Sequence, residues 1–415
     1  MEKLNRHRPL FGSLLFYGGI LACMMPALAA LLFVYSSGVN IPFADEWHFV
    51  ADHYDKWCNG TLTISDLFSQ HNEHRIAFAR LLMLVTGGLT HYNGVAILYV
   101  IQMLFVLVAL VFLAAFRDRF GGKPRAFVAC AFVPISFMVF QLRQWENMIL
   151  PIQTQTMLAT SGSLAAFLLL SRFVRNGKAT HGLLALALLA ACVASFSQMM
   201  GLFVWPSALV VFLCGARRRK LLYAAVWAVA GCLVWLAYFH HFKKPWQTPD
   251  PLGMLHNPRQ FAEYLSACLG GSLFWTVGAA TTAGVVIAVL LIGAALLVCV
   301  RRRWQENTFW IAAAAFSLIV VAVISTGRCG FGVDQALSSR YSAFSLLLLP
   351  AVYAVLLDSA CEWRSRVGMG LIVILTGLLF WSAMPSYTNG FAEGRNFRLR
   401  QEQNAFYLTA FDDIP

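Results

Sequence analysis

Residues 10–35 read LFGSLLFYGGILACMMPALAALLFVY, and residues 42–80 read PFADEWHFVADHYDKWCNGTLTISDLFSQHNEHRIAFAR. The first run is long enough to cross a hydrocarbon core about 30 Å thick as a helix. The second run gathers acidic, histidine and arginine side chains, although only 12% of the residues in the chain are charged. A membrane span followed by a dense polar loop therefore sets the plan of the molecule.

The rest of the composition extends this plan over the whole chain. Of its 415 residues 59% are hydrophobic and the mean hydropathy is +0.66, whereas soluble domains carry roughly 25% charged residues. Apolar runs recur at membrane-spanning length, and the alternating pattern of a transmembrane barrel is absent. The sequence predicts an all-α polytopic transmembrane bundle of about 11 spans, forming a single integral membrane domain over 1–415.

The apolar runs divide the chain into spans and loops. The expected spans are 10–35, 94–116, 127–140, 149–170, 183–196, 201–215, 221–239, 272–300, 308–325, 342–357 and 368–384. The apolar stretch 76–90 is short, and we interpret it as an interfacial or re-entrant helix. The expected outer segments are 36–80, 240–271, 326–341 and the tail 385–415.

The net charge of +12 reports topology. Basic residues concentrate in the short loops at 117–125, 172–178, 217–220 and 301–303, as cytoplasmic loops do. The N-terminus is therefore expected in the cytoplasm and the polar loops outside, with no nucleic-acid partner. The ten cysteines form no CxxC pair. Cys58 and Cys329 both lie in expected outer loops, so a disulfide between them is one option.

Two adjacent acids open the polar loop. Asp45 and Glu46 precede Trp47 about ten residues after the first span. Neighbouring carboxyls near an apolar surface can have their pKa values pushed apart, and a raised pKa suits a general base. The alternative is a helix N-terminus, where acidic residues are favoured.

The densest polar run is HNEHR at 71–75. As a helix it would place His71, His74 and Arg75 on one face, which could hold a phosphate through charge-assisted hydrogen bonds. A divalent metal held by the two histidines and a carboxylate is a rival interpretation. A solvated helix start is the third.

Later loops add further polar groups. The run QWEN at 144–147 has the aromatic, amide and carboxylate groups that grip a sugar, but it also suits an interfacial belt. Arg328 and Arg340, with Tyr341, flank a glycine-containing turn. The two arginines could clamp a lipid phosphate or extend to the headgroups.

The runs ADEWH, QHNEHRI, QWENM and SSRY, with this layout of spans, resemble the GT-C superfamily of membrane glycosyltransferases. They are most similar to the bacterial enzymes that modify O-antigen. The resemblance implies transfer of a sugar from a polyprenyl-phosphate donor to a glycan or lipid acceptor, O-antigen or another surface polysaccharide, on the periplasmic side of the inner membrane. A protein acceptor is not expected, because the large soluble C-terminal domain of oligosaccharyltransferases is not apparent here.

The resemblance also distributes roles among the residues. Asp45 takes the place of the acidic catalytic residue of the first outer loop, with Glu46 as its neighbour or substitute. The donor phosphate is expected at Arg75, His74, Arg328 and Arg340. The sugar and acceptor are expected at Trp47, His71, Asn72, Glu73, Gln144, Trp145, Glu146, Asn147 and Tyr341.

Cofactors, partners and rival functions follow from the same reasoning. No cofactor is certain beyond the lipid-linked sugar, and a divalent metal stays open. The expected partners are the bilayer, the donor, the acceptor, a flippase and a polyprenyl-phosphate glycosyltransferase. A transporter or flippase would place charged groups near the bilayer midplane. An O-antigen polymerase or ligase would place its key arginines in a large later loop.

Overall fold

The structure is a computed structural model, and it describes residues 2–175, 181–215, 219–245, 249, 257–363 and 366–409. Parts of several predicted segments lie outside the described residues. They are 176–180 and 216–218 in two basic loops, 246–248 and 250–256 in the second outer loop, and 410–415 in the tail.

Helices form nearly all of the described chain, with one small hairpin. From the N-terminus these are α1 (Glu2–Ser37), α2 (Asp45–His48), a π-helix (Phe49–Tyr54), α3 (Asp55–Cys58), α4 (Ile64–Phe68), β1 (Gln70–His71), β2 (His74–Arg75), α5 (Ala77–Thr90), α6 (Gly94–Phe120), α7 (Arg125–Val139) and α8 (Glu146–Ile149). There follow α9 (Thr154–Arg175), α10 (His181–Ser195), α11 (Val204–Cys214), α12 (Lys220–Phe239), α13 (Pro258–Gly270), α14 (Val277–Arg301), α15 (Thr308–Arg328), α16 (Ser342–Ser345), α17 (Leu348–Trp363) and α18 (Arg366–Thr409). Short 3₁₀ turns cover Leu142–Gln144, Pro151–Gln153, Met199–Phe203, Cys329–Phe331, Val333–Leu337 and Ser339–Tyr341.

The predicted polytopic helical fold is confirmed. Within the described ranges nine helices are long and apolar enough to cross a membrane, and each corresponds to an expected span. The expected spans at 183–196 and 201–215 correspond to α10 and α11, which have only 15 and 11 residues. The short apolar stretch before the second span is α5, with 14 residues.

The helices differ in depth within the bundle. In the most apolar 18-residue stretch of residues 339–362, 83% of the residues are buried inside the protein. In the corresponding stretches of α12 and of α14, only 22% of the residues are buried. A helix that is apolar all round either fills a core or faces lipid. The segment ending in α17 therefore lies at the centre, and α12 and α14 present apolar side chains outward.

The C-terminal segment is helical where an outer tail was expected after 384. α18 is 44 residues long in all, and it continues past Pro385 without a break. Phe391 packs edge-on against Phe33 with ring centroids 5.6 Å apart, and Phe397 packs against Phe43 at 5.4 Å. Aromatic burial of this kind is favourable, so contacts with α1 and with the start of the polar loop keep this segment helical.

The two ends of the bundle are held by different contacts. α6 begins beside the polar loop, where the Gly94 N–H donates to Asn40 Oδ1 at 2.6 Å, and its 27 residues span about 40 Å. At the far end Arg119 forms ion pairs with Asp358 and, at 3.1 Å, with Glu306. We call the end with the polar loop the site end.

α13 and α14 pack closely because glycine lies at their contact. A Cβ atom on Gly270 would fall on the carbonyl oxygen of Ala280, and one on Gly284 would fall on that of Ser266. Small residues allow helix backbones to approach in this way inside membranes.

The substitution Gly284→Ala is expected to lower the thermal unfolding temperature of the purified protein. Overpacking of a tight contact typically costs about 1–3 kcal/mol. Gly293→Ala on the same helix is the matched control, because a Cβ at Gly293 meets no atom within 4 Å. Equal unfolding temperatures for the two variants in detergent would contradict this account.

Candidate active site

The polar loop folds into short helices and a hairpin, and hydrogen bonds and an ion pair join these elements to one another. Thr63 caps α4, and its N–H and hydroxyl both donate to Asp66 Oδ2, at 2.8 and 2.6 Å. Lys56 Nζ pairs with Asp66 Oδ1 at 2.7 Å. These contacts join α3 to α4 and fix the path of the chain into the hairpin.

The run HNEHR is a β-hairpin, so the helical interpretation is wrong. Gln70 pairs with Arg75, and His71 pairs with His74, across a two-residue turn. Asn72 has a φ of 49°, which Asn adopts more readily than most residues and which tight hairpin turns require. His71 and His74 are therefore cross-strand neighbours. Arg75 lies on the opposite face from His74, because side chains alternate along a strand.

Arg75 anchors the hairpin to the bundle. Its Nε donates to the Tyr238 carbonyl at 2.6 Å, its Nη1 to that of Phe68 at 2.7 Å and its Nη2 to that of His240 at 2.5 Å. The Arg75 N–H also donates to the Tyr238 hydroxyl at 2.9 Å. Each guanidinium nitrogen thus has a carbonyl partner. These bonds give Arg75 a structural role, and its assignment to a donor phosphate stays a prediction.

Asp45 is the accessible acid of the pair. Its side chain is 58% exposed, and its Oδ2 lies 3.6 Å from His71 Nε2, slightly beyond hydrogen-bond distance. The interaction with His71 is the main cause that lowers the pKa of the Asp45 carboxyl, and the charge of Arg340 adds to it. Asp45 is therefore a carboxylate at neutral pH. The preceding Ala44 has a φ of 48°, a strained backbone of the kind that clusters at functional sites.

Glu46 is the opposite case. It is 2% exposed, its Oε1 accepts from the Tyr92 hydroxyl at 2.6 Å and its Oε2 accepts from the Phe43 N–H at 3.2 Å. Burial raises the pKa of Glu46 to about 7. The two neighbouring carboxyls thus have pKa values shifted in opposite directions. Through Tyr92, Glu46 holds the loop against the turn between α5 and α6, and both of its oxygens have protein partners.

Two further groups extend the site from the hairpin. Glu73 in the turn forms an ion pair with Arg328 at the end of α15. Burial lowers the pKa of His74 to about 4, so its ring is neutral at pH 7, and His74 Nδ1 is buried with no hydrogen-bond partner among the described atoms. The polar loop and the end of α15 are therefore joined directly.

Arg340 reaches the site from a loop that Glu146 positions. Glu146 Oε2 accepts from the Ser339 hydroxyl at 2.6 Å and from the Arg340 N–H at 3.1 Å. Asn147 Nδ2 donates to the Arg340 carbonyl at 3.2 Å. The Arg340 guanidinium is exposed and lies over the Tyr341 ring, 5.7 Å from its centroid.

The run QWEN does not form an open sugar-binding surface. Gln144 and Asn147 are buried, and Gln144 Nε2 donates to the Val139 carbonyl at 2.8 Å. The Trp145 ring lies 6.1 Å from that of Phe397. Together with Glu146, these residues support the loop that carries Arg340. Their contact with a sugar stays a prediction, as does that of Trp47 and Asn72, which are exposed.

The comparisons with known proteins bear on the fold. No protein-family model and no curated protein sequence matches the chain. Among solved structures, it is similar to the crystal structure of the Archaeoglobus fulgidus oligosaccharyltransferase tethered through a disulfide bond to an acceptor peptide with the NVT sequon. The TM-score is 0.50 at 13% identity.

The chain has a GT-C-like fold. The alignment covers 91% of this chain and 55% of the archaeal one, so the chain spans about half the length of that enzyme. At this identity the likeness concerns the arrangement of helices and assigns no role to a residue. The roles have to be argued from the geometry at the site end.

Two options that the sequence left open end differently in the structure. Cys58 and Cys329 are both free thiols, so no disulfide joins them. In the part of the chain that the structure describes, the three side chains that converge with metal-ligand spacing are His48, Asp52 and His53. The set predicted from His71, His74 and a carboxylate is not among the described groups with that spacing, and metal binding there stays a prediction.

Neither that trio nor Tyr92 had a role predicted from the sequence. The four-residue spacing of His48 and Asp52 is a signal that was available, because residues four apart share one face of a helix. His53 joins them only through the π-helical turn. Tyr92 had no such signal. Its hydroxyl meets Glu46 from a position 46 residues further along the chain, at 2.6 Å.

The stability cost of the Glu46 charge is expected to depend on pH. A carboxyl whose folded pKa is raised binds more protons in the folded state, so stability falls as pH rises from about 4.5 to about 7. The variant Glu46→Gln carries no such charge. Relative to the wild type it should therefore gain up to about 3 kcal/mol between pH 4.5 and pH 8, at about 1.4 kcal/mol per pH unit.

Thermal unfolding of both proteins at pH 5 and pH 8 measures this effect. The unfolding temperature of Glu46→Gln relative to wild type should be higher at pH 8 than at pH 5. A difference that is the same at both pH values would contradict the burial of an ionisable group at this position.

Proposed function

We propose that the protein is a membrane glycosyltransferase that moves a sugar from a polyprenyl-phosphate donor to a glycan or lipid acceptor. The observation that carries the proposal is the setting of Asp45. It is an exposed carboxylate beside His71, close enough to Arg340 for that charge to lower its pKa. It lies at one end of a helical bundle with a GT-C-like fold.

The charges at the site end suit the chemistry of a lipid-phosphate leaving group. Arg340 is exposed and Arg328 is held at the site by Glu73. Preorganised cations that face the developing charge of a leaving group stabilise the transition state. A phosphate would form ion pairs with both arginines, and it would compete with Glu73 for the guanidinium of Arg328.

The proposed reaction is a direct displacement at the anomeric carbon. Asp45 accepts the proton from the acceptor hydroxyl, whose oxygen bonds to that carbon. The bond from the carbon to the phosphate oxygen breaks, and the polyprenyl phosphate leaves with its charge facing the arginines. Glu46 does not take the proton in this scheme, because both of its oxygens have protein partners.

The distribution of charge supports this activity over transport. Asp45, Glu73, Arg328 and Arg340 meet at one end of the bundle, whereas a transport path would place ionisable groups near the midplane. The same reasoning extends the proposal to the cell. We place the enzyme in the bacterial inner membrane with a periplasmic site, acting on O-antigen or another surface polysaccharide. A flippase and a polyprenyl-phosphate glycosyltransferase would supply its donor.

The substitution Asp45→Asn is expected to lower transfer from a synthetic polyprenyl-phosphate sugar by at least about 10²-fold, the usual contribution of a general base. Asp55→Asn, an exposed acid of the same loop, is the matched control and should retain activity. Both variants should unfold at the wild-type temperature. Near-normal transfer by a folded Asp45→Asn protein would overturn the assignment.

The substitution Arg340→Ala is expected to lower kcat/KM for the donor by about 10²–10³-fold, as loss of one transition-state donor does. The control is Arg259→Ala on α13, which removes an exposed guanidinium that has no place in the mechanism. If Arg259→Ala and Arg340→Ala reduce kcat/KM equally, the effect is one of general surface charge and the phosphate role is wrong.

A further inference from the structure

A second cluster in the polar loop has no role in the proposed sugar transfer. One ligand atom each from His48, Asp52 and His53 lies within 4.8 Å of the other two. His48 and Asp52 are exposed and His53 is buried. The cluster thus consists of one buried side chain, that of His53, and two side chains that face solvent.

The backbone places the three side chains on one face. Phe49–Tyr54 is a π-helix, and the hydrogen bond from the Asp55 N–H to the Val50 carbonyl closes its wide turn over five residues. In such a turn the residues four and five positions after His48 both lie above it, and these are Asp52 and His53. π-helical turns are rare and occur frequently at functional sites.

His53 has one ring nitrogen that is free to bind a ligand. Its Nε2 lies 3.1 Å from the Asp66 carbonyl, and a carbonyl accepts only, so Nε2 carries the proton and donates it. The lone pair is then on Nδ1, which is buried with no hydrogen-bond partner among the described atoms. His53 as a whole is 4% exposed. A histidine that donates one N–H to a carbonyl and leaves the other nitrogen free has the arrangement of a metal ligand.

His48 and Asp52 complete the set from the solvent side. His48 Nε2 lies 3.2 Å from Asp52 Oδ2, and both side chains are about half exposed. Ligands held at about 2.0–2.2 Å around a tetrahedral Zn²⁺ are roughly 3.3 Å apart. This pair is already at that separation. The ligand atom of His53 lies within 4.8 Å of both, and the two exposed side chains are the ones that would move to complete the set.

We propose that His48, Asp52 and His53 bind one divalent transition-metal ion of the zinc class. Two imidazoles and one carboxylate suit Zn²⁺, whereas an all-oxygen set would suit Mg²⁺ or Ca²⁺. Three protein ligands leave one coordination position for water or another small ligand.

The ion would brace the loop beside Asp45. His48 belongs to the same short helix as Asp45, α2, and its ring centroid lies 5.4 Å from that of His71, the partner of Asp45. Metal binding by these residues does not depend on sugar transfer, so either proposal can fail without the other.

The test is metal content and ligand-field spectroscopy of the full chain. The protein is purified in detergent without a histidine tag, stripped with a chelator, and titrated with Zn²⁺ or with Co²⁺ as a spectroscopic probe. The variants are His48→Ala, Asp52→Asn and the double variant. The matched controls are Asp55→Asn and His181→Ala, which remove an exposed acid and an exposed histidine elsewhere.

The wild type and both controls should bind one Zn²⁺ per chain and show the intense visible bands of tetrahedral Co²⁺. His48→Ala and Asp52→Asn should bind at least 10-fold more weakly and lose these bands, while unfolding at the temperature of the stripped wild type. Wild-type binding that equals that of the double variant would overturn the proposal. So would binding that Asp55→Asn or His181→Ala reduces as much as His48→Ala does.

Discussion

The carboxylate of Glu146 is the contact on which the candidate site most depends. It accepts from the Ser339 hydroxyl and from the Arg340 N–H, 193 and 194 residues further along the chain. Hydrogen bonds to a charged group are roughly twice as strong as neutral ones. Arg340 therefore projects from a loop that is fixed at its backbone, while its guanidinium remains exposed for a ligand.

Two other charged contacts join separate segments of the chain at the site end. Arg75 fastens the hairpin to the end of α12 through the carbonyl oxygens of Tyr238 and His240. Glu73, in the turn of the same hairpin, forms an ion pair with Arg328 at the end of α15. Loops are usually mobile; here charged hydrogen bonds between distant segments join them. A displacement reaction needs donor and acceptor groups held in one geometry, and these contacts supply it.

Asp45 and Glu46 show how neighbouring residues of the same chemistry take different roles. Successive side chains point in different directions, so one faces the solvent beside His71 and the other faces Tyr92 in the protein. Contact with an imidazole and a nearby guanidinium favours the charged form of Asp45. Burial disfavours the charged form of Glu46 in the way expected of a desolvated acid. The first can meet a substrate, and the second holds the loop in place.

The sequence by itself determined the class of the protein, its long helices and the segment that holds the candidate acid. Apolar runs of spanning length have few stable structures, since every backbone polar group within a membrane needs an internal partner. The long helices therefore follow from local composition. The short helices α10 and α11 were expected as full spans, because composition records apolarity but does not fix where a helix ends against its neighbours.

Only the tertiary structure decided the roles of single polar residues. Arg75 and Arg340 are alike in sequence terms, yet one is used by three carbonyls and the other is exposed. The run HNEHR was interpreted as one face of a helix. In the structure the turn at Asn72 makes it a hairpin, in which the two histidines are paired across the strands. Glu146 and Asn147 were predicted as sugar ligands, and the structure shows that they also hold the loop of Arg340. In each case the deciding partner lies far along the chain or in a backbone turn, and local pattern carries no record of which distant groups a fold brings together.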